Sequence, residues 1–172
     1  MDTNKVNLGE LKRTAKQNFK SLSGIAKPVN HIGVVAISDD VKRDFVVQGI
    51  SAIGLGALVL ATAPETPVEN ITYTDKLNTN DLPAFDFFVY DNEHTGLDVG
   101  KCMKAGIVPI MPEQNVFSGI LKEFNPMKFE GNGFFWKKDN PYCMFEKVIS
   151  YLENIKFPED KRVLLKNVGE TF

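Results

Sequence analysis

The 172-residue sequence predicts an α/β domain of the doubly wound, Rossmann-like kind, with a parallel sheet and helices on both faces. Three observations carry this expectation. First, the runs "HIGVVAI" (31–37), "GALVLAT" (56–62) and "IVPIM" (107–111) are apolar at almost every position, as strands covered on both faces must be. Second, segments with helical amphipathic spacing lie between such runs. Third, the two kinds of segment alternate through the chain, which is the order of parallel βαβ units.

Leu8, Leu11, Ala15, Phe19 and Leu22 predict a first helix, with Lys12, Arg13, Lys16 and Lys20 read as a solvated basic face. "SGIAKP" ends it, and 31–37 is the first strand. Ser38, Asp39 and Asp40 are candidate caps for a second helix, whose apolar stripe reads Val46, Ile50 and Ile53. The second strand is 56–62, after which "PETPVE" is a turn. "NITY" (70–73) predicts a third strand, "TDKLNTNDLP" a short helix or loop, and "FDFFVY" (85–90) a fourth strand. A helix from about Gly96 to Gly106 and a fifth strand at 107–111 follow. "NVFSGILKEF" predicts a helix, and "GNGFFW" (131–136) a turn and a short strand. Asn140 and Pro141 open a long helix with Phe145, Val148, Ile149 and Leu152 as its stripe, and "FPEDKRVLLKNV" opens the last one in the same manner.

One domain, residues 1–172, is expected, because no repeat, linker or low-complexity tract divides the chain. The formal net charge of −2 gives no electrostatic case for a nucleic-acid partner. No run of about 18 apolar residues exists, so no membrane span is expected, and the start of the sequence has no apolar segment of signal-peptide type. Cys102 and Cys143 are expected as reduced thiols in a cytoplasmic protein. Two separated histidines and no Cys/His spacing give no metal site, and no cofactor is expected.

In open α/β sheets, ligands bind beyond the carboxyl ends of the strands. Glu93 follows the fourth strand and Lys42 the first, which puts both on that edge. The amides of Gly96, Leu97 and Asp98 are expected as free first-turn donors able to hold a phosphate. Glu93 has a second reading as a helix cap, Lys42 as a surface charge, and His94 as an exposed residue. No dinucleotide fingerprint, phosphate-binding loop or nucleophile triad occurs.

These residues resemble those of the glycogen and starch synthases, retaining glycosyltransferases built from two Rossmann-like domains (the GT-B class). The family signature is Glu-Pro-Cys-Gly-Leu, a helix, then Lys-x-Gly-x-x-Pro. It is similar to "EHTGLDVGKCMKAGIVPIM", with Glu93, Gly96, Leu97, Lys104, Gly106 and Pro109 in register. "GVVAISDDVKR" resembles the family's first strand and its basic loop. "GNGFFWKKDNPYCMFEKVISYL" and "FPEDKRVLLKN" resemble its later helical segments, so the likeness spans nearly the whole chain.

The resemblance implies the C-terminal, nucleotide-sugar-binding half of such an enzyme, transferring glucose from ADP-glucose or UDP-glucose to a glucan. It implies Glu93 on the donor sugar, the Gly96–Leu97 backbone on the diphosphate, Lys42 neutralising the leaving group, and Tyr73 of "YTDKL" near the base. The sequence departs from the pattern in three places. The family's Arg is Ile37, its Pro-Cys is His94-Thr95, and its loop after the fifth strand is replaced by "EQNVFSGIL". An acceptor-binding domain is absent from the sequence, so a partner domain is expected for transfer and the chain alone is expected to be inactive. The alternative is a non-catalytic Rossmann-like binding or assembly module. A receiver-type domain ranks last, since no Asp after a third strand accompanies Asp39 and Asp40.

Overall fold

A computed structural model describes residues 8–25 and 27–172. The elements are α1 (Leu8–Ser23), β1 (Ile32–Ala36), α2 (Asp40–Ala52), β2 (Gly56–Leu60), β3 (Ile71–Thr74), a 3-10 helix (Thr79–Ala84), β4 (Phe87–Tyr90), α3 (Val99–Lys104), β5 (Val108–Pro112), β6 (Phe134–Trp136), α4 (Pro141–Ile155) and α5 (Pro158–Gly169). The strands form one sheet in the order β3-β2-β1-β4-β5-β6, and every neighbouring pair is parallel. The doubly wound architecture is therefore the one the apolar runs predict.

Strands β1 and β2 are buried at every position, because layers cover them on both faces. Helices α2 and α4 pack on each other and on β1, β2, β5 and β6, while α3 and α5 pack together on β5. Gly33 of β1 makes room for the neighbouring strand's aromatic: a Cβ there would stand 2.4 Å from the Phe87 ring. The chain runs outward from β1 to β3, then returns to β4 and runs outward the other way. The connections after β1 and β4 thus diverge, and a crevice opens between them at the carboxyl edge.

Several local expectations are corrected. In α2 the inward stripe is Val46, Val47 and Ile50, whereas Ile53 caps the helix end and is exposed. In α4 it is Met144, Val148, Tyr151 and Ile155, with Asn140 capping through the Cys143 amide as expected and Phe145 and Leu152 only flanking the core. Residues 115–124 form no helix: 116–120 are turns, and Glu123 makes an isolated parallel bridge with Gly133. There the Asn115 side chain donates to the Pro112 carbonyl (2.7 Å) and accepts from the Phe117 amide (2.8 Å), which closes a local turn in competition with a helix.

The largest correction concerns α1. Leu11 and Leu22 are exposed, and the lysine face turns inward over the amino edge of the sheet. Lys12 donates to the Phe85 carbonyl at 2.9 Å, Lys16 to Asp86 at 2.6 Å and to the Asn30 carbonyl at 3.0 Å, and Lys20 to the Val29 carbonyl. Phe19, on the same face, packs edge-on against Phe85 at 4.9 Å. The apolar stems of the lysines lie along the protein and their charged heads find oxygen at its lower rim.

Candidate functional site at the carboxyl edge

Beyond β1 and β4 lies a cavity of about 420 Å³. Lys42 and Glu93 both line it, so the structure brings together the two side chains that the sequence places on this edge. Lys42 stands in the first turn of α2, which Asp39 caps by accepting its amide at 2.9 Å. The Lys42 ammonium donates to Asp139 at 2.6 Å. That hydrogen bond, helped by the carboxylates of Asp139, Asp39 and Glu93, holds its pKa above the ordinary lysine value. Trp136, buried at the end of β6, forms part of the wall.

The residue that organises this edge is Asp91, which the sequence reading did not single out. Its carboxylate accepts the Ser38 amide at 2.6 Å, the Glu93 amide at 3.0 Å and the His94 amide at 3.1 Å. One side chain thus ties the ends of β1 and β4 together and fixes the turn that presents Glu93. Asn92 sits in that turn with φ 70°, a left-handed conformation that asparagine tolerates better than most residues. Its amide donates to the Gln114 carbonyl at 3.2 Å, and its buried side-chain oxygen has no partner. The sequence signal was present: an Asp two residues ahead of the turn residue it caps is the pattern of an Asx turn.

The remaining site residues fall elsewhere. Helix α3 starts at Val99, three residues later than expected, because Asp98 is its N-cap: its carboxylate accepts the Lys101 amide at 3.0 Å. Hydrogen bonding from that amide holds the Asp98 carboxyl below the ordinary range. The Gly96 amide is not a free donor, since it donates to His94 Nδ1 at 3.0 Å. His94 is half-buried rather than exposed. Its Nε2 faces the Leu60 carbonyl at 2.9 Å, an acceptor only, so Nε2 carries the proton and Nδ1 is the acceptor for Gly96. Leu97 is buried. Gly96 and Asp98 line a separate cavity of about 200 Å³ beside the 3-10 helix, and Tyr73 lies in β3 and lines neither cavity. Ile37, at the position of the family's Arg, is fully buried.

The cap assignment is testable. Asp98→Ala should cost about 1 kcal/mol, the usual effect of removing an N-cap. Glu93→Ala, whose carboxylate caps nothing, should leave stability within about 0.5 kcal/mol. Chemical denaturation of both variants checks this, and equal losses would return Glu93 to the role of a cap.

No family model matches the chain. Its sequence is 30% identical over 96 residues, 53% of its length, to a glycogen synthase of Kosmotoga olearia, of which it spans 20%. Among solved structures it resembles the catalytic domain of starch synthase IV from Arabidopsis thaliana bound to ADP and acarbose. That match has TM-score 0.72 and 13% identity, and covers 98% of this chain and 41% of the other. It also resembles the GtfA/B complex at TM-score 0.55 and 10% identity, covering 94% of this chain and 40% of that one. A third likeness is the glycosyltransferase of kitacinnamycin, at TM-score 0.52 and 12% identity, covering 83% of this chain and 40% of that one. The fold is thus that of part of a GT-B glycosyltransferase. Within that class the particular likeness, in sequence as well as in fold, is to the glycogen and starch synthases, of which the chain spans well under half the length. Among the described residues no helix is long and apolar enough to cross a membrane.

Proposed function

We propose that the chain is the nucleotide-sugar-binding, C-terminal half of a glycosyltransferase of the glycogen/starch-synthase kind. In a complete enzyme it would present ADP-glucose or UDP-glucose to a glucan held by a second domain. One observation carries this reading: Lys42 and Glu93, which match the family's donor-site positions, meet in one cavity at the switch point of the sheet. In this role Glu93 accepts hydroxyls of the donor sugar, as a carboxylate does without proton transfer. Lys42 exchanges its exposed Asp139 partner for a phosphate oxygen, a change that costs little because ion pairs at the surface contribute under about 1 kcal/mol. Transfer itself needs the second domain, since desolvation and converging charges arise only in a closed cleft. A cytoplasmic setting fits the two free thiols.

A second reading, a non-catalytic binding or assembly module, is favoured by the cavity's charges. Among the described residues Asp39, Asp91, Glu93, Glu113 and Asp139 line it against the cations Lys42 and Lys137, and Ile37 withholds the family's second positive charge. The two readings part in a titration of the chain with ADP, UDP and their glucose conjugates, followed by backbone amide signals. The expected result is a saturable change at residues 38–42 and 91–98, with dissociation constants on the order of 0.1–1 mM. Lys42→Ala should weaken every ligand, and Glu93→Ala the sugar nucleotides more than the bare diphosphates. Silence of those signals at millimolar ligand would leave the module reading. Incubated with ADP-glucose and glycogen, the chain alone should extend no glucan, and extension would remove the need for a second domain.

A further inference from the structure

We propose that the cavity at the opposite, amino edge of the sheet, between α1, α4 and α5, is a second binding site, for a small organic phosphate. It measures about 290 Å³, at the lower end of the size of small-molecule pockets. Among the described residues four cationic side chains line it, Lys12, Arg13 and Lys16 from α1 and Lys161 from α5, together with one carboxylate, Asp86. That carboxylate is already engaged, accepting the Lys16 ammonium at 2.6 Å and the Ile32 amide at 2.9 Å. Lys12 has one neutral partner, the Phe85 carbonyl. Among the described residues Arg13 and Lys161 pair with no carboxylate. Arg13 and Lys161 therefore bring two cations to the cavity without a carboxylate partner among the described residues, beside Lys12, whose charge is offset by an Asp86 carboxylate already hydrogen-bonded to Lys16. Tyr151, Ile155 and Leu165 give the lining an apolar part, a surface for a ring or short chain. A phosphate supplies the acceptors the cations lack, and an apolar body covers the floor.

The charges on Lys12 agree with this geometry. Burial lowers its pKa to about 8, with Asp86 opposing and Lys16 and Lys161 adding to the fall. A bound dianion reverses the last two influences, so binding near pH 8 draws a proton onto Lys12. The site is independent of the carboxyl-edge cavity and of its proposed nucleotide sugar.

The test uses the full chain, with phenyl phosphate, inorganic phosphate and phenol as probes in calorimetry and amide spectra. Phenyl phosphate should bind more tightly than inorganic phosphate, phenol should not bind, and the signals of residues 9–16 and 161–165 should move while those of 91–98 stay. Arg13→Ala and Lys161→Ala, both at exposed side chains, should each weaken phenyl phosphate about fivefold, and Lys42→Ala should not. The binding heat at pH 8 should depend on the buffer, and that dependence should vanish in Lys12→Met. Binding of phenol as tight as phenyl phosphate, indifference to Arg13→Ala and Lys161→Ala, or unmoved signals at concentrations on the order of 10 mM would each overturn the proposal.

Discussion

Asp86→Ala should destabilise the domain by about 3–5 kcal/mol, the effect of removing one member of a shielded ion pair. Asp86 lies just before β4 and its side chain is 15% exposed, as against 18% for Lys16. Its carboxylate joins two elements far apart in sequence, accepting from α1 through Lys16 and from the start of β1 through the Ile32 amide. It also offsets the positive charge on Lys12 and faces His31, whose Nδ1 stands 3.7 Å away without a hydrogen-bond partner. The alanine variant leaves a fully buried amide without its acceptor and a lysine without its counter-charge. Asp86→Asn separates these effects, because it keeps an acceptor for Ile32 and removes only the charge. The asparagine variant should therefore lose less than the alanine variant. Lys16→Met should restore part of the loss when added to Asp86→Ala, since the double variant no longer holds an uncompensated cation. Denaturant titration of the four proteins reads the coupling, and simple additivity would show that the pair contributes nothing to stability.

The sequence made the sheet legible because the physics that buries β1 and β2 is local to each run. A strand covered on both faces needs apolar side chains in both directions, and "GVVA" and "ALVL" satisfy that within themselves. Asn140 and Pro141 were legible for the same reason, since a cap acts on amides two or three residues away. Several of the failures have a different cause, namely partners distant in sequence. In α1 the expected stripe holds at Ala15 and Phe19, which lie against the core, and fails at Leu11 and Leu22, which match the helical period as well as the inward Lys12 and Lys16 do. Only oxygens at Asn30, Phe85 and Asp86 decide which face turns in.

Residues 115–124 depart from the expected helix for both a local reason, the Asn115 turn, and a distant one. Asn132 accepts the Lys122 amide at 2.8 Å and donates to the Ile120 carbonyl at 3.0 Å, holding the loop from ten residues or more away. Gly131 lets the return strand pass, with φ 91° and space so tight that a Cβ would stand 2.2 Å from the Glu123 carbonyl oxygen. In the candidate site, the positions of Lys42 and Glu93 followed from strand order alone. The shift of the α3 start to Val99 did not, because Gly96 and Asp98 are both acceptable helix openings. The choice between them rests on His94 reaching back to Leu60.

Lys12 should make stability depend on pH in a direction unusual for a lysine with an acidic neighbour. In the unfolded chain it holds its proton up to about 10.5, and in the folded domain only up to about 8. Between those values the unfolded state binds more protons, so this residue's contribution to stability rises as pH increases. Below pH 8 both states are charged and the folded state carries the full burden of a buried ammonium, about 3 kcal/mol. Other groups act oppositely at high pH. Burial raises the Cys102 thiol to about 12, so the unfolded chain ionises first there and stability falls. The clean measurement is therefore the difference between the native chain and Lys12→Met at pH 7 and at pH 10.5. Relative to the native chain, the variant should be about 3 kcal/mol better placed at the lower pH. The comparison does not depend on the lost hydrogen bond to Phe85, which is absent from the variant at both values. A difference that stays constant across this range would mean that the Lys12 ammonium is as well solvated in the fold as out of it. The amino-edge cavity would then be open to water and its cations screened. Saturation with phenyl phosphate should flatten the same curve, because a dianion beside Lys12 returns its pKa toward the unfolded value and removes the proton difference between the two states.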